Sequence, residues 1–178
     1  VKLPLFMLHI SNMGHLFHSP DSIFLFNHWD KKIHIMNNEG EIFKTYKIEN
    51  KNNDNDYYFL VNSSSPAIIQ DDFLYLICHI IPRTSDTSKL KILFKMNLKT
   101  EDQDWFVSTS EILGKGFWGP FTPYTNTMSI NSRKREIAIS NFKDPEVRIF
   151  DLDNPNNQVG SKVSGYSFNN KLSSAYSE

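Results

Sequence analysis

The residues SIFLFNHWDKKIHIMNNEGEIFKTY, which run from Ser22 to Tyr46, decide the fold class of this sequence. They predict three consecutive antiparallel strands, SIFLF, KIHIM and EIFKTY, joined by two turns. In KIHIM the apolar Ile33 and Ile35 alternate with His34, which is the pattern of a strand with one buried face. The Asn-Asn-Glu-Gly segment that follows supplies residues that suit a tight hairpin. The stretch therefore predicts an all-β protein.

Two later parts of the chain repeat this order of elements. Three units are predicted, at residues 14–48, 66–108 and 126–168, each with a short apolar strand, a polar turn and three further strands. The polar run 50–56 between the first two units is predicted to be a surface connection. A four-stranded unit that recurs at about 50 residues is typical of β-propeller blades. A β-sandwich is the alternative, because seven or more short strands with regular turns also suit that fold.

Three blades cannot close a ring, since propellers have about four to eight blades. We therefore interpret residues 1–178 as one partial β-propeller domain. The sequence begins at Val1 and not at Met, and we expect the chain to be a portion of a longer protein. The remaining blades are expected from sequence missing here or from a second chain.

Charge and composition exclude several classes of function. The chain has 19 basic and 20 acidic residues in 178, whereas nucleic-acid binders carry a basic excess, so no nucleic-acid partner is predicted. The apolar N-terminal run is short and interrupted, so no transmembrane segment is predicted. Cys78 is the single cysteine and lies in the apolar run FLYLICHII, which predicts a buried thiol and excludes a disulfide within the chain.

The run FLFNHWDKKIHIMNNEGEIFKTY, together with the later NSRKREIAISNFKDPEVRIFDL, resembles a domain-of-unknown-function family. Its members are six-bladed, TolB-like β-propeller lipoproteins of Gram-negative anaerobes. The resemblance implies that the complete ring has six blades and that the protein is periplasmic or associated with the outer membrane. It implies no activity, because the family has none that is established.

Histidines are the first candidate site residues. Five of the six fall between His9 and His34, and imidazole is a common metal ligand. His15 and His18 are three residues apart, which places them on opposite faces of a strand and weakens them as a ligand pair. We therefore predict no metal site and no cofactor, and retain His18 as a ligand-binding candidate, because we place it on an inner strand near the channel.

The segment GKGFWGPFTPY at 114–124 is the most distinctive loop. Its aromatic residues could anchor a carbohydrate ring or a partner chain if exposed, and could plug a gap between blades if buried. Phe117, Trp118 and Tyr124 are therefore ligand-binding candidates, together with Arg83 in an earlier loop. The basic turn at 133–135 is interpreted as solvated or as a contact for an acidic partner.

No catalytic constellation is found in the sequence, so no catalytic residue is predicted. The favoured hypothesis is a non-enzymatic binding or interaction domain whose ligand is a protein or a carbohydrate. The alternative is a hydrolase or lyase that acts on carbohydrate or peptide in the propeller channel, with His18, Asp21 or Arg83 lining it.

Overall fold

The computed structural model describes residues 14–49, 56–59, 61, 62, 65–81, 90–108, 126–141 and 144–163. All regular structure in these ranges is β-strand, and they contain no helix able to cross a membrane. The strands are β1 (Gly14–Ser19), β2 (Ser22–Asn27), β3 (Lys32–Met36), β4 (Ile42–Lys47), β5 (Asp56–Phe59), β6 (Ile68–Gln70), β7 (Phe73–Ile81), β8 (Lys91–Asn97), β9 (Gln103–Ser108), β10 (Asn126–Asn131), β11 (Glu136–Asn141), β12 (Asp144–Asp151) and β13 (Gln158–Val163).

The strands form three antiparallel sheets, which are meanders apart from the first edge of blade 2. Blade 1 has the order β1-β2-β3-β4, and blade 3 has the order β10-β11-β12-β13. Blade 2 has the order β5-β7-β8-β9, with β6 also paired to β7. Three sequential meanders match the predicted propeller blades and not the two facing sheets of a sandwich. The prediction of an all-β protein with blade-like units is confirmed.

Blade 2 contains one strand that the sequence did not reveal. Strand β5 begins at Asp56, which we had predicted to lie in a polar surface connection, and it pairs with residues 78–81 of β7. Strand β6 pairs with residues 73–75 of the same strand, so the first edge of blade 2 is divided between two short segments. Gly14 of blade 1 lies against this division, because a Cβ atom at Gly14 would be 2.5 Å from Val61.

The hydrophobic core lies between the three sheets. In blade 1, Phe24 and Phe26 of β2 are buried opposite Ile35 and Ile33 of β3, so the four side chains share one face. The corresponding strands of blade 2 are buried on both faces, as expected for a sheet between two others. The uninterrupted apolar run of β7, from 74 to 78, follows from this position.

Blades 1 and 2 are joined by side chains that bond to backbone groups across the interface. The Tyr46 hydroxyl donates to the carbonyl of Leu98 at 3.0 Å, and Nε1 of Trp105 donates to the carbonyl of Glu49 at 3.0 Å. Trp105 lies opposite Phe94, so this face of blade 2 meets blade 1.

The opposite face of blade 2 meets blade 3. Tyr75 and Lys95 lie opposite each other on that face, and Nζ of Lys95 reaches the carbonyl of Leu152 in blade 3. Ile137 and Phe150 of blade 3 are fully buried members of the same hydrophobic cluster. The blades therefore stack in one direction, each with a constant face toward its successor.

Candidate functional site

The first strand of each blade is the part of a propeller that borders the central channel. In this chain those strands have the sequences GHLFHS in β1, IIQ in β6 and NTMSIN in β10. None of the three contains Asp, Glu, Lys or Arg, whereas the fourth strands of the blades carry lysine or aspartate. Apart from Asp56 at the start of β5, which shares the first edge of blade 2 with β6, the described first strands carry no fixed charge. This signal was readable in the sequence, and our sequence analysis missed it.

Among the predicted site residues, His18 is the one that lies in the described part of the chain. It is exposed and occupies a β-bulge between the paired positions Phe17–Ile23 and Ser19–Ser22. The imidazole meets the edge of the Phe24 ring, with ring centroids 6.2 Å apart at 86°. A bulge re-aims a side chain that would otherwise follow the strand alternation, so the imidazole is held at the end of β1 and remains accessible to solvent.

The other predicted site residues lie outside the described part of the chain. Arg83 belongs to the range 82–89, and Phe117, Trp118 and Tyr124 belong to the range 109–125. The roles predicted for these residues therefore stay predictions.

Hydroxyl and amide groups are concentrated on the first strand of blade 3. Oγ1 of Thr127 lies 2.7 Å from Oγ of Ser140 on β11, and Thr127 and Ser129 are both exposed. In the adjacent pair of the same two strands, the buried amide of Asn141 donates to Asn126 at 2.8 Å. These side chains are neutral hydrogen-bonding groups that can pair with a ligand of the same kind.

The ends of blades 2 and 3 are joined by a charged cluster. Arg135 donates to both carboxylate oxygens of Asp153, at 2.7 and 2.6 Å, and reaches Asp71 of blade 2 at 3.2 Å. The hydrogen bonds to Asp153 and then the one to Asp71 raise the pKa of Arg135. The bonds to Arg135 in turn lower the pKa of Asp153. Arg135, the last residue of the basic turn, is thus engaged within the chain. The hydroxyl of Ser132 in the same turn donates to Gln70 at 2.5 Å.

Two ionisable side chains lie beneath this cluster. Burial lowers the pKa of Lys95, whose ammonium group lies 4.4 Å from the centroid of the Phe73 ring and 5.5 Å from that of Tyr75. Burial also raises the pKa of the Tyr75 phenol to about 12. Both effects follow from the loss of solvent around a charged form. The ammonium group of Lys95 contacts two aromatic rings of blade 2 and one backbone carbonyl of blade 3. These contacts help to join the two blades.

An open acidic cleft of about 520 Å³ lies beside blades 1 and 2, lined by Glu49, Glu101, Asp102, Gln103 and Asp104. One of its carboxylates is already paired, because Nζ of Lys44 lies 3.1 Å from Glu101. Gln103 also has a structural contact, since its amide donates to the carbonyl of Lys47 at 2.8 Å. The cleft borders the fourth strand of blade 2, away from the first strands.

The described part of the chain offers few side chains that could bind a metal ion or act as a nucleophile. No group of three or more His, Cys, Asp or Glu side chains there could hold a metal ion. The thiol of Cys78 is fully buried, and desolvation raises its pKa. A thiol in this state is a poor nucleophile.

The fold and the channel edge define the chain as part of a β-propeller. Neither a protein-family model nor a curated protein sequence matches it. A solved structure of a DUF4221 family member from Bacteroides vulgatus is similar, with a TM-score of 0.55 and 16% identity over 75% of this chain and 38% of that one.

BamB from Moraxella catarrhalis is a more distant structural neighbour, with a TM-score of 0.45 and 11% identity over 86% of this chain and 50% of that one. The chain thus spans half the length of these neighbours or less. The likeness to the DUF4221 structure, at 16% identity, supports the fold alone.

Proposed function

We propose that this chain is part of a six-bladed β-propeller of the cell envelope that binds a neutral, hydroxyl-rich ligand at the channel edge without chemical conversion. The ligand class that fits best is an uncharged carbohydrate. The envelope location and the blade number come from the family resemblance. The three described blades and the likeness to the DUF4221 structure support the propeller fold on which both expectations depend.

The observation that carries the proposal is the lack of fixed charge on β1, β6 and β10. A charged ligand in a channel would be expected to meet basic or acidic side chains, because opposite charges attract and steer it. Hydroxyl, amide and imidazole groups instead form neutral hydrogen bonds with sugar hydroxyls. The exposed groups available for this are those of His15, His18, Thr127, Ser129 and Asn131.

Calorimetric titration with two matched sets of oligosaccharides tests this proposal. The neutral set contains cello-, xylo- and manno-oligosaccharides, and the acidic set contains oligogalacturonates. We expect binding from the neutral set, weakened about tenfold by His18→Ala and by Ser129→Ala, which matches the loss of about one hydrogen bond. Ser161→Ala, on the fourth strand of blade 3, is the matched control and should leave the affinity unchanged.

Three results would count against the proposal. Binding of the acidic set alone would contradict a neutral channel edge. Equal oligosaccharide affinity of the two first-strand variants and of the Ser161→Ala control would mean that the ligand binds elsewhere. Binding of extended peptides in place of sugars would favour a protein ligand.

The hydrolase or lyase alternative gains no support from the described residues. His18 and Asp21 are both exposed at the end of β1 where the chain turns into β2, and Arg83 lies outside the described residues. Chromatography of the neutral oligosaccharides after incubation with the protein distinguishes the two functions. Cleavage products that disappear in His18→Ala would establish the enzyme and overturn simple binding.

A further inference from the structure

Three turns of the described chain share one local structure, although each lies in a different blade. They are residues 27–31 in blade 1, 97–101 in blade 2 and 131–135 in blade 3. Each begins with Asn, whose side-chain oxygen accepts backbone N–H groups of the same turn at 2.8 to 3.3 Å. The fifth residue of each turn has a φ between 52° and 67°. Asn at the first position and these local hydrogen bonds account for the turn.

The third residue of each turn is exposed. It is Trp29 in blade 1, Lys99 in blade 2 and Arg133 in blade 3. Trp29 is 74% exposed, and the side chain of Lys99 is 73% exposed. Blades 2 and 3 both have a preceding blade beside them, so the exposure of this position is a property of the turn. The turn accepts a charged residue there in two blades, and its structure therefore gives no reason for an indole in the third.

The turn that carries Trp29 is held firmly on the protein. The carbonyl of Lys31 accepts the N–H of Ile48 at 2.8 Å, and the ammonium group of Lys31 donates to the carbonyl of Tyr57. The buried imidazole of His28 lies against the indole, with ring centroids 4.8 Å apart. An aromatic side chain on a fixed backbone loses little conformational freedom when it binds a ligand.

Hydrogen-bonding groups lie directly beside this exposed indole. Asp30 is exposed, and its carboxylate accepts the side-chain amide of Asn27 at 2.9 Å. A carboxylate has about four lone-pair positions, so Asp30 can also accept a hydroxyl group from a ligand. The face of an indole is electron-rich and attracts the C–H groups on the flat side of a sugar ring. The two side chains together therefore suit a pyranose ring.

We propose that residues 27–31 form a second carbohydrate site, in which a pyranose ring stacks on Trp29 and donates a hydroxyl hydrogen bond to Asp30. Neutral sugars are the favoured class, because the carboxylate of Asp30 repels that of a uronic acid. A single exposed ring is large enough for one sugar, whereas a stable protein interface buries about 800 Å² on each partner.

This site is separate from the channel edge. Trp29 lies in the turn from β2 to β3, whereas His18 lies beside the turn from β1 to β2, at the other end of β2. The inference shares its ligand class with the proposed function, but different residues at a different end of blade 1 carry it. Either site can therefore fail in experiment without the other.

Nuclear magnetic resonance of the indole N–H groups reports on Trp29 directly. The chain has three Trp, and the signal of Trp29 is identified by its loss in Trp29→Phe. We expect the cello-, xylo- or manno-oligosaccharides to shift this signal until it saturates, and the oligogalacturonates to leave it in place. The signal of Trp105 is an internal control, because its N–H is bonded to the carbonyl of Glu49 and its side chain is buried.

Trp29→Lys gives a second measurement, made in the His18→Ala background so that the channel edge contributes little. The variant should keep the unfolding midpoint of its background, since Lys99 shows that the same turn accepts lysine. We expect the remaining oligosaccharide affinity in calorimetry to fall about tenfold through loss of the aromatic surface. Lys99→Ala in the same background is the matched control, and it should leave the affinity unchanged.

The results separate this site from the proposed one. A Trp29 signal that stays in place while His18→Ala still weakens calorimetric binding would overturn the second site and leave the channel edge standing. A Trp29 signal that shifts equally in wild type and His18→Ala, with no loss of affinity in His18→Ala or Ser129→Ala, would support the second site and overturn the channel edge. A shift produced by extended peptides and not by sugars would overturn carbohydrate as the ligand.

Discussion

The guanidinium of Arg135, in the turn between β10 and β11, lies 3.2 Å from the carboxylate of Asp71, in the turn between β6 and β7. The contact joins two blades at corresponding turns. Arg135 also holds Asp153 through two hydrogen bonds. Its backbone has φ of 52°, a conformation uncommon for residues other than glycine, Asn and Asp. The carbonyl of Arg135 accepts the N–H of Leu152 at 2.8 Å, so the turn is fixed by both backbone and side chain.

Replacing Arg135 with Gln should lower thermal stability slightly, and the loss should shrink as salt is added. The side chains of Arg135, Asp71 and Asp153 are all exposed, so solvent and ions screen the two ion pairs. The measurement is the unfolding midpoint at low and high sodium chloride. Arg133→Gln is the control, since it removes the same charge from the same turn. An equal loss from both variants would show that net charge, not this contact, matters.

The same pair predicts a pH dependence. Because the folded-state pKa of Asp153 is lowered by Arg135, the stability it contributes is present above the unfolded value of about 4 and is lost as pH falls through the folded value. The difference in unfolding midpoint between wild type and Arg135→Gln should therefore be constant from pH 7 to about pH 5 and should vanish in more acidic solution. A difference that grows on acidification would contradict the assignment.

Gly14→Ala should destabilise the contact between blades 1 and 2. The new Cβ would lie 2.5 Å from both the Cβ and the carbonyl oxygen of Val61, which is closer than the contacts that Cβ atoms make in proteins. Overpacking of this kind costs typically about 1–3 kcal/mol in the free energy of unfolding. Urea unfolding measures the loss, and Gly160→Ala is the matched control because nothing lies within 4 Å of its Cβ position. An unchanged free energy of unfolding in Gly14→Ala would show that blades 1 and 2 can move apart at this point without loss of stability.

Much of the fold was predictable because the strand signals are local. The alternation of Ile33, His34 and Ile35 and the Asn-Gly turn residues act over a few positions, and strands β1 to β4 follow the prediction closely. Strand β5 was missed because Tyr57 and Phe59 directly follow a polar run and are too few to show alternation. Their burial depends on β7, which is a long-range pairing that no local pattern reveals.

The candidate site was less predictable than the fold. His18 was selected from its place near the end of an inner strand, and the structure places it there, exposed in a bulge. The engagement of Arg135 with Asp71 could not be read from the sequence, because 64 positions separate them and only the stacking of blades brings them together. The sequence of 114–124 has no periodic pattern, so its residue types suggest a role without predicting where the side chains lie.

Cys78 should be unreactive in the folded protein. Its thiol is 0% exposed, and burial raises its pKa, so the thiolate required for attack on a disulfide reagent is scarce. We expect Ellman's reagent to label no thiol in native buffer and one thiol per chain in denaturant. The rate in native buffer should follow the opening of blade 2 and rise with added urea. Rapid stoichiometric labelling of the native protein would contradict the burial of β7.

Tyr46→Phe should lower the free energy of unfolding by about 1 kcal/mol, the typical net contribution of one hydrogen bond. The ring stays in place, but the hydroxyl that donates to the carbonyl of Leu98 across the blade interface is lost. Urea unfolding should show a lower midpoint with an unchanged slope, because the surface exposed on unfolding is the same. Ser161→Ala removes an exposed hydroxyl from the fourth strand of blade 3, away from this interface, and should change the free energy by no more than about 0.5 kcal/mol. Equal effects of the two substitutions would mean that the bond to Leu98 contributes nothing to the stacking of blades 1 and 2.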